Sequence, residues 1–385
     1  MTAAALRGAK EKRALPLFRA TRGKRPDRGI WVTFVLLLAS GVVTLYSASY
    51  YNAQDRGSAL TEVFSQLLGI GVGAFFMIAL WKIDYRALND VRVSGAFLGV
   101  SLVLLALVAI PGVGVYVNGS RRWLRLGPIS FQPSEMAKYA MILFLARALS
   151  SAARDITDFW RGLVPLFVLP GAMFLLVLLQ PNLSTAGSIV IVAAVMTMLA
   201  GARWIHLGLI AVLGACVGTY YALSEPYRRA RMISFTDPFR YLSNEGYQLA
   251  QSLLAFGSGG LFGMGIGRGR QKYSFLPYPE SDFIFAVVGE DLGLLGCLWV
   301  LGLFGAFLFF SIRAAIRCKD RFGSLLAGGI AAMIGVQTVL NVAVVVGIMP
   351  TTGLPLPLFS SGGTSVAIVM GAIGLLLNVS SESRA

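Results

Sequence analysis

Repeated apolar runs, most of them near 20 residues long, constrain this chain more than any other feature of its sequence. About 20 apolar residues make an α-helix that crosses the hydrocarbon core of a bilayer. The runs are continuous and do not alternate with polar residues, which disfavours a transmembrane β-barrel. Of the 385 residues 56% are hydrophobic and only 13% are charged, so a soluble globular protein is excluded. The sequence predicts an all-α polytopic membrane protein with about ten transmembrane helices, near 31–50, 59–81, 94–114, 135–151, 163–181, 184–202, 205–224, 283–310, 324–349 and 363–381.

The basic residues predict how these helices are oriented. Residues 1–30 carry nine basic residues and two acids, so we expect a disordered cytoplasmic tail before a ten-helix domain over 31–385 and no cleaved signal peptide. With the N-terminus inside, 21 of the 33 Lys and Arg residues fall on the inner side and 11 on the outer side. This bias is typical of cytoplasmic loops, so both termini are predicted in the cytoplasm. The long loop 225–282, between helices seven and eight, is then extracytoplasmic.

Two groups of basic residues are exceptions to that bias, because they lie on the predicted outer side. The short segment NGSRRWLRLGP holds Arg121, Arg122 and Arg125, and the long loop has seven glycines between residues 257 and 269, followed by more cations. One interpretation is contact with lipid headgroups. The other is a site for a phosphorylated substrate, because a guanidinium can hold phosphate through two hydrogen bonds. Exposed backbone N–H groups in the glycine-rich segment could also contribute to an anion site.

Several acidic residues lie at the ends of predicted membrane helices or within them, where burying a charge costs free energy. Asp282 precedes an apolar helix, where it is either an N-cap or a general base at the membrane surface. Glu290 and Asp291 lie two turns deeper, where they are either functional residues or a buried pair with a cation or polar partner from another helix, the interpretation that we favour. Glu135 and Lys138, spaced i, i+3, share a helix face. They either neutralise each other or place the lysine near a phosphate.

The cysteine and histidine residues do not indicate a disulfide framework or a metal site. The chain has three Cys and one His, His206, with no spacing typical of either.

Four motifs occur in order along the chain, namely NGSRRWLRLGPISFQPSEMAKYAMILFLA (118–146), QPNLSTA (180–186), YQLAQSLLAFGSGGLFGMGIGRGRQKYSFLPYPESDFIFAVVGEDLGLLG (247–296) and MPTTGLPLPLFSSGGTS (349–365). They resemble the signatures of the SEDS family, the shape, elongation, division and sporulation proteins of bacterial wall synthesis. The resemblance extends from about residue 31 to residue 381, and the motif sequences are more similar to division and sporulation members than to elongation members. The sequence departs from the family pattern at Asn182, Ser184, Tyr278 and Ser361, where Asp, Gly, Glu and Tyr are usual.

The resemblance implies the SEDS fold and a peptidoglycan glycosyltransferase. Such an enzyme polymerises lipid II, the undecaprenyl pyrophosphate-linked disaccharide peptide, into β-1,4 glycan strands on the outer face of the bacterial cytoplasmic membrane. It implies Asp282 as the catalytic general base. The substrate-binding residues predicted within the motifs are Arg122, Trp123, Gln132, Glu135, Lys138, Gln248, Arg270, Lys272 and Ser360.

The resemblance also implies partners, and the sequence leaves other functions open, since ten helices, intramembrane acids and a glycine-rich segment suit a transporter too. The expected partners are a class B penicillin-binding protein transpeptidase and other division-complex membrane proteins, with no nucleic acid. A divalent cation (Mg²⁺ or Mn²⁺) could assist at the pyrophosphate, although no ligand cluster in the sequence demands one. The alternatives are an elongation-type polymerase of the RodA kind, a lipid II flippase, and a scaffold that only recruits the transpeptidase.

Overall fold

The structure is a computed structural model that describes residues 26–49, 60–117, 120–127, 129–151, 156–242 and 245–382. Most of the predicted N-terminal tail lies outside the described residues. The helices are α1 (Arg28–Ser49), α2 (Leu60–Lys82), α3 (Val91–Ala109), α4 (Pro133–Ser150), α5 (Val164–Leu178, after a π-helical turn Phe159–Leu163), α6 (Leu183–Leu199), α7 (Trp204–Leu223), α8 (Pro226–Thr236), α9 (Tyr247–Gly259), α10 (Gln271–Ser274), α11 (Ile284–Arg317), α12 (Arg321–Val345) and α13 (Gly363–Glu382), with a short 3-10 helix at Tyr85–Asn89.

The predicted helical membrane architecture is confirmed. Eight helices in the described part of the chain are long and apolar enough to span a bilayer, namely α1, α2, α3, α5 with its π-helical turn, α7, α11, α12 and α13. α6 is apolar but shorter, with 17 residues. α4 is more polar, and almost all of its residues are buried by α3, α6 and α12. These ten helices correspond to the ten predicted spans.

A small antiparallel sheet lies between α3 and α4, and the sequence did not predict it. Its strands are β1 (Gly114–Val117), β2 (Ser120–Leu126) and β3 (Ile129–Phe131), in the order β1-β2-β3. β2 is the central strand and carries Arg122 and Trp123. The sheet therefore holds the first group of outer basic residues, with Arg121 and Arg125 at paired positions and Arg122 at the register shift between β1 and β2.

Glycine allows α2 and α13 to approach closely. A Cβ on Gly69 would overlap the backbone of Gly363, and a Cβ on Gly374 would overlap the carbonyl oxygen of Met77. Small residues at helix contacts are typical of membrane bundles, where van der Waals packing has no hydrophobic effect to assist it.

The two ends of the described chain meet at one end of the bundle. The main-chain N–H of Asp27 donates to Ser380 Oγ at 3.1 Å, and Arg313 Nη2 lies 2.8 Å from Asp27 Oδ2. Arg86 pairs with Glu382 at 2.7 Å on the same side. α1 begins at Arg28, three residues before the predicted boundary, and Asp27 is already buried in these contacts.

α11 is interrupted at Gly293, which has φ 66° and ψ −162°. The interruption leaves carbonyls and N–H groups without partners inside the helix. The glycine-rich segment after α9 satisfies them, as membrane proteins require where a helix is broken. The four hydrogen bonds are Met264 N to Glu290 O (2.9 Å), Gly265 N to Asp291 O (3.0 Å), Leu294 N to Gly260 O (2.9 Å) and Leu295 N to Leu261 O (3.2 Å).

Candidate active site

Asp282 lies on a loop that is held from two other parts of the chain. Ser360 Oγ donates to the carbonyl of Ser281 at 2.6 Å, and the N–H of Ser361 donates to the carbonyl of Glu280 at 2.7 Å. Asn341 Nδ2, from α12, donates to the carbonyl of Asp282 at 2.8 Å. These main-chain contacts fix the loop and leave the Asp282 side chain available for other partners.

The N-cap interpretation of Asp282 is wrong. Phe283 occupies the N-cap position of α11, and no side-chain capping bond is made there. Burial raises the pKa of Asp282 to about 6, against the lowering effects of its own main-chain N–H, Arg231 and Arg122. A carboxylate with a pKa near 6 is ionised at neutral pH and is a stronger base than an ordinary aspartate.

Arg122 lies beside this carboxylate. Its Nε donates to the carbonyl of Gln180 at 3.1 Å, and its Nη2 donates to the carbonyl of Pro181, so the turn between α5 and α6 orients the guanidinium. A Cβ built on Gly353 would lie 3.8 Å from both Nη1 of Arg122 and Oδ2 of Asp282. Arg122 and Asp282 therefore flank the same glycine, and a reacting group between them would meet a base and a cation.

The predicted motif residue Asn182 has a local role. Its side chain accepts a hydrogen bond of 3.2 Å from the N–H of Thr185 at the start of α6. An amide performs this capping as well as a carboxylate does, so the local fold at the start of α6 does not require an acid at this position.

A cavity of about 270 Å³ adjoins the Asp282 loop. Gln248 lines it and donates to the carbonyl of Pro277 at 3.3 Å. Arg231, on α8, also lines it, with its guanidinium 4.7 Å from the ring centre of Tyr227. Burial and the positive charge of Arg231 lower the pKa of Arg122, which places the two arginines in one electrostatic environment.

Four of the predicted substrate-binding residues are buried in protein contacts. Lys138 is 0% exposed and lies 2.6 Å from Glu135, which also accepts a 2.8 Å hydrogen bond from Ser365. Ser360 Oγ accepts from the N–H of Leu356 in addition to its bond to Ser281. The fourth is Lys272. The positions of these four do not support the predicted contacts with substrate, because each is enclosed and already paired.

Lys272 forms the predicted cation partner of the deep acids. It pairs with Asp291, and Ser47 of α1 bridges them by accepting from Lys272 Nζ at 2.7 Å and donating to Asp291 Oδ2 at 2.5 Å. Glu290 accepts from the N–H of Gln271 at 2.7 Å, at the start of α10. The anion site expected in the glycine-rich segment is thus occupied by the protein's own carboxylates.

The remaining predicted residues lie at the surface or at its edge. Arg270 is exposed at the start of α10, and Trp123 is partly buried in β2. Gln132 occupies the N-cap position of α4, where its Nε2 donates to Ser134 at 3.1 Å. Two other outer arginines, Arg228 and Arg229, donate to the last carbonyls of α7.

The divalent cation stays a prediction. Among the described residues no group of three or more His, Cys, Asp or Glu is arranged to hold a metal ion. The charges that act on Asp282 are Glu280 and two arginines. The protein residues at this position therefore do not build a cation site on their own, and no step of the chemistry below depends on one.

Comparison with known proteins identifies the family. A family model described as "Cell cycle protein", covering FtsW, RodA and SpoVE, matches residues 27–385. This chain belongs to that family, the SEDS proteins. Stage V sporulation protein E of Bacillus subtilis is 40% identical over 365 residues, covering 94% of this chain and 99% of the relative. A protein named probable peptidoglycan glycosyltransferase FtsW, from Geobacter sulfurreducens, is 37% identical over 366 residues, with 94% and 96% covered.

Solved structures show that this SEDS protein shares the fold of its relatives. A chain from work described as structural coordination of polymerization and crosslinking by a peptidoglycan synthase complex matches with a TM-score of 0.78 and 32% identity, covering 93% of this chain and 98% of that one. The rod shape determining protein RodA of Thermus thermophilus matches with a TM-score of 0.68 and 31% identity, covering 92% and 96%.

Three residues that the sequence did not single out are central to the site of this SEDS protein. Arg231 was one of seven basic residues in the long loop, and its spacing on α8 does not distinguish it from Arg228 or Arg229. Asn341 lies in an apolar run, where an amide could have been noticed as a buried polar group in need of partners. Gly353 lies within the fourth motif, but the sequence does not distinguish it there, because its importance depends on neighbours from β2 and the Asp282 loop.

Proposed function

We propose that this protein polymerises lipid II into β-1,4 glycan strands on the outer face of the cytoplasmic membrane during cell division. Family membership supports the activity, since a FtsW relative at 37% identity is named a probable peptidoglycan glycosyltransferase. The observation that carries the mechanism is the partly buried Asp282 carboxylate, with its raised pKa, across Gly353 from the Arg122 guanidinium.

Asp282 acts as the general base on the acceptor. Its ionised carboxylate accepts the proton of an N-acetylglucosamine 4-hydroxyl as that oxygen attacks C1 of the donor N-acetylmuramic acid. The new C1–O bond forms as the bond from C1 to the undecaprenyl diphosphate oxygen breaks. Attack from the opposite face inverts the α-linked donor to a β-1,4 product. The diphosphate leaves with the bonding electron pair, and the proton remains on Asp282 until solvent removes it.

Arg122 stabilises the departing diphosphate. Negative charge develops on the leaving oxygens, and a cation already held in place lowers the barrier without rearranging in the reaction. The carbonyls of Gln180 and Pro181 hold Arg122 in that position. The exposed Arg270 is available for the outer phosphate or for lipid headgroups.

The bundle supports the proposed orientation. Asp282 precedes α11, and Arg313 and Arg317 lie near its other end. The start of α1 and the end of α13 meet at the Arg313 end. If that basic end faces the cytoplasm, both termini are cytoplasmic and Asp282 faces outward. The partner we propose is a class B penicillin-binding protein, in line with the peptidoglycan synthase complex that contains a similar chain.

Polymerisation of lipid II by the purified protein with its transpeptidase partner tests this function. Asp282→Ala should abolish polymer formation while the variant melts no lower than wild type and still copurifies with the partner. Asp237→Asn, an exposed acid after α8, is the matched control and should polymerise normally. Polymer made by Asp282→Ala at the wild-type rate would refute the base assignment. Translocation of lipid II by a protein that makes no polymer would favour a flippase.

The division role needs a cellular test. A fluorescent fusion should concentrate at the septum, and depletion should block septation before it alters cell width. Uniform labelling of the side wall with loss of rod shape would assign the protein to elongation instead.

A further inference from the structure

The cavity beside the Asp282 loop has walls from three parts of the extracytoplasmic region. Tyr227 and Arg231 come from α8, while Tyr247 and Gln248 begin α9 and Glu245 lies in the turn two residues before that helix. The remaining wall consists of Pro277 and Thr351.

Two chain segments connect this cavity to the catalytic carboxylate. Pro277 is part of the loop that leads to Asp282, and Gln248 holds it through the 3.3 Å hydrogen bond. Thr351 lies two residues before Gly353, whose Cβ position is 3.8 Å from Asp282 Oδ2. A group bound in the cavity would therefore sit next to the proposed base, on the side of Arg231.

The charges of the cavity favour a neutral ligand. Arg231 contributes one positive charge and Glu245 one negative charge to the lining. A diphosphate is recognised by an excess of cations, and Arg122, outside this lining, already faces the position of the leaving group. The lining of the cavity carries no net charge, whereas a site for a diphosphate carries an excess of positive charge.

The other side chains suit a sugar ring. Two tyrosines contribute aromatic rings and hydroxyl groups, although the Arg231 guanidinium already lies over the ring of Tyr227. Gln248 and Thr351 offer both donors and acceptors. A ring with hydroxyl and acetamido groups needs this mixture. At about 270 Å³ the cavity falls just below the roughly 300–1,000 Å³ of pockets for drug-sized ligands, so one ring is the appropriate size.

We infer that this cavity is the subsite for the acceptor sugar, a neutral N-acetylhexosamine ring, and that Arg231, Gln248 and Thr351 hydrogen-bond to it. The inference rests on the proposed function, because it locates the sugar whose hydroxyl Asp282 deprotonates. It assigns the two outer arginines to different halves of the reaction, with Arg231 on the acceptor and Arg122 on the diphosphate of the donor.

Binding to a protein that cannot turn over tests the subsite without relying on polymerisation. The probe is the neutral disaccharide of N-acetylglucosamine, measured by saturation-transfer NMR on the Asp282→Asn protein in nanodiscs. Adding Thr351→Val or Arg231→Gln should weaken binding about tenfold, the loss expected from one hydrogen bond that is not replaced. The matched controls are Tyr220→Ala, at a side chain 78% exposed on α7, and the exposed Arg240→Gln. Both should bind the disaccharide normally.

A second probe separates sugar from phosphate. Farnesyl diphosphate should bind without displacing the disaccharide, and its affinity should fall with Arg122→Gln but not with Thr351→Val. Displacement of the disaccharide, with loss of farnesyl diphosphate affinity through Thr351 and Arg231, would make the cavity a diphosphate site and overturn the inference. Equal disaccharide binding by all variants would overturn it as well.

Kinetics distinguish failure of the subsite from failure of the proposed function. Thr351→Val should raise KM for lipid II about tenfold with kcat within about twofold, since it removes binding and not chemistry. Failure of the wild-type protein to make polymer would refute the proposed function, while the disaccharide measurement would still show whether the cavity binds a sugar. If the wild-type protein polymerises lipid II and KM is unchanged in Thr351→Val and Arg231→Gln, the subsite is refuted and the proposed function is not.

Discussion

Asn341 holds the main-chain carbonyl of Asp282 through a hydrogen bond of 2.8 Å. The same Nδ2 donates to the carbonyl of Leu354 at 2.7 Å. One buried amide on α12 therefore joins the loop of the base to the segment that carries Gly353. The position of Asp282 relative to Gly353 is therefore fixed by a helix of the membrane bundle and not by the Asp282 loop alone.

Asn341→Ala should lower both stability and turnover. It leaves two carbonyls without their donor, at about 1–3 kcal/mol of unfolding free energy for each, and it frees the Asp282 loop to move. We expect a lower melting temperature and a kcat at least tenfold below wild type, with KM less affected. Gln337→Ala, one turn earlier on the same helix and also buried, is the control and should affect stability without a comparable loss of kcat. Wild-type kcat in Asn341→Ala would contradict this role.

The pH dependence of polymerisation should report Asp282. Its pKa is raised to about 6 by burial, and the base must be ionised to accept a proton, so kcat/KM should rise with pH and level off above about 6. Arg231→Gln removes a charge that lowers this pKa, and the acidic limb should move to higher pH. Arg240→Gln should leave the limb in place. An acidic limb that does not move in Arg231→Gln would show that another group titrates.

The same pKa predicts that Asp282 costs stability at neutral pH. Its folded pKa lies above the unfolded value of about 3.9, so its contribution is most favourable below that value and is lost as pH rises through about 6. Asp282→Asn should therefore raise the unfolding free energy at pH 7.5 by about 3 kcal/mol, with a higher melting temperature than wild type, and the gain should disappear near pH 4. An equal gain at both pH values would show that its origin is not ionisation.

The helices could be predicted from sequence because each depends on its own apolar run. The sheet that carries Arg122 could not, because its three strands are short and pair only with one another in a loop. The interruption at Gly293 follows Glu290 and Asp291 in an otherwise apolar run, and only the hydrogen bonds from residues 260–265 show that the helix is broken there.

The chemistry of the site was predictable only in part. Residue type and position relative to the membrane drew attention to Asp282 and Arg122. The same reasoning proposed Lys138 and Lys272 as ligands for phosphate, because sequence does not show which cations are buried. The Ser47–Asp291 bond joins residues 244 positions apart, and no local pattern encodes such a contact.

The Lys272–Asp291 pair should be strongly coupled. Lys272→Met alone leaves a buried carboxylate without its cation, and Asp291→Asn alone leaves a buried ammonium, each expected to cost about 3–5 kcal/mol of unfolding free energy. The double variant Lys272→Met/Asp291→Asn should recover much of that loss. Arg86→Met/Glu382→Gln tests the exposed pair on the opposite face, where each single change should cost less than about 1 kcal/mol. Additive losses in the Lys272 and Asp291 cycle would contradict the coupling.

Gly263 should tolerate no side chain, because it seats the glycine-rich segment in the interrupted helix. Its φ is 80°, and a Cβ there would overlap the carbonyl oxygen of Asp291, which accepts the bond from Gly265. Gly263→Ala should therefore lower the melting temperature and reduce polymerisation, through displacement of both the segment and Asp291. Gly257→Ala is the matched control, because a Cβ on that helical residue meets nothing within 4 Å. It should be as stable as wild type or slightly more so, since alanine favours helix over glycine. Equal behaviour of the two variants would mean that the contact between the segment and Gly293 is dispensable.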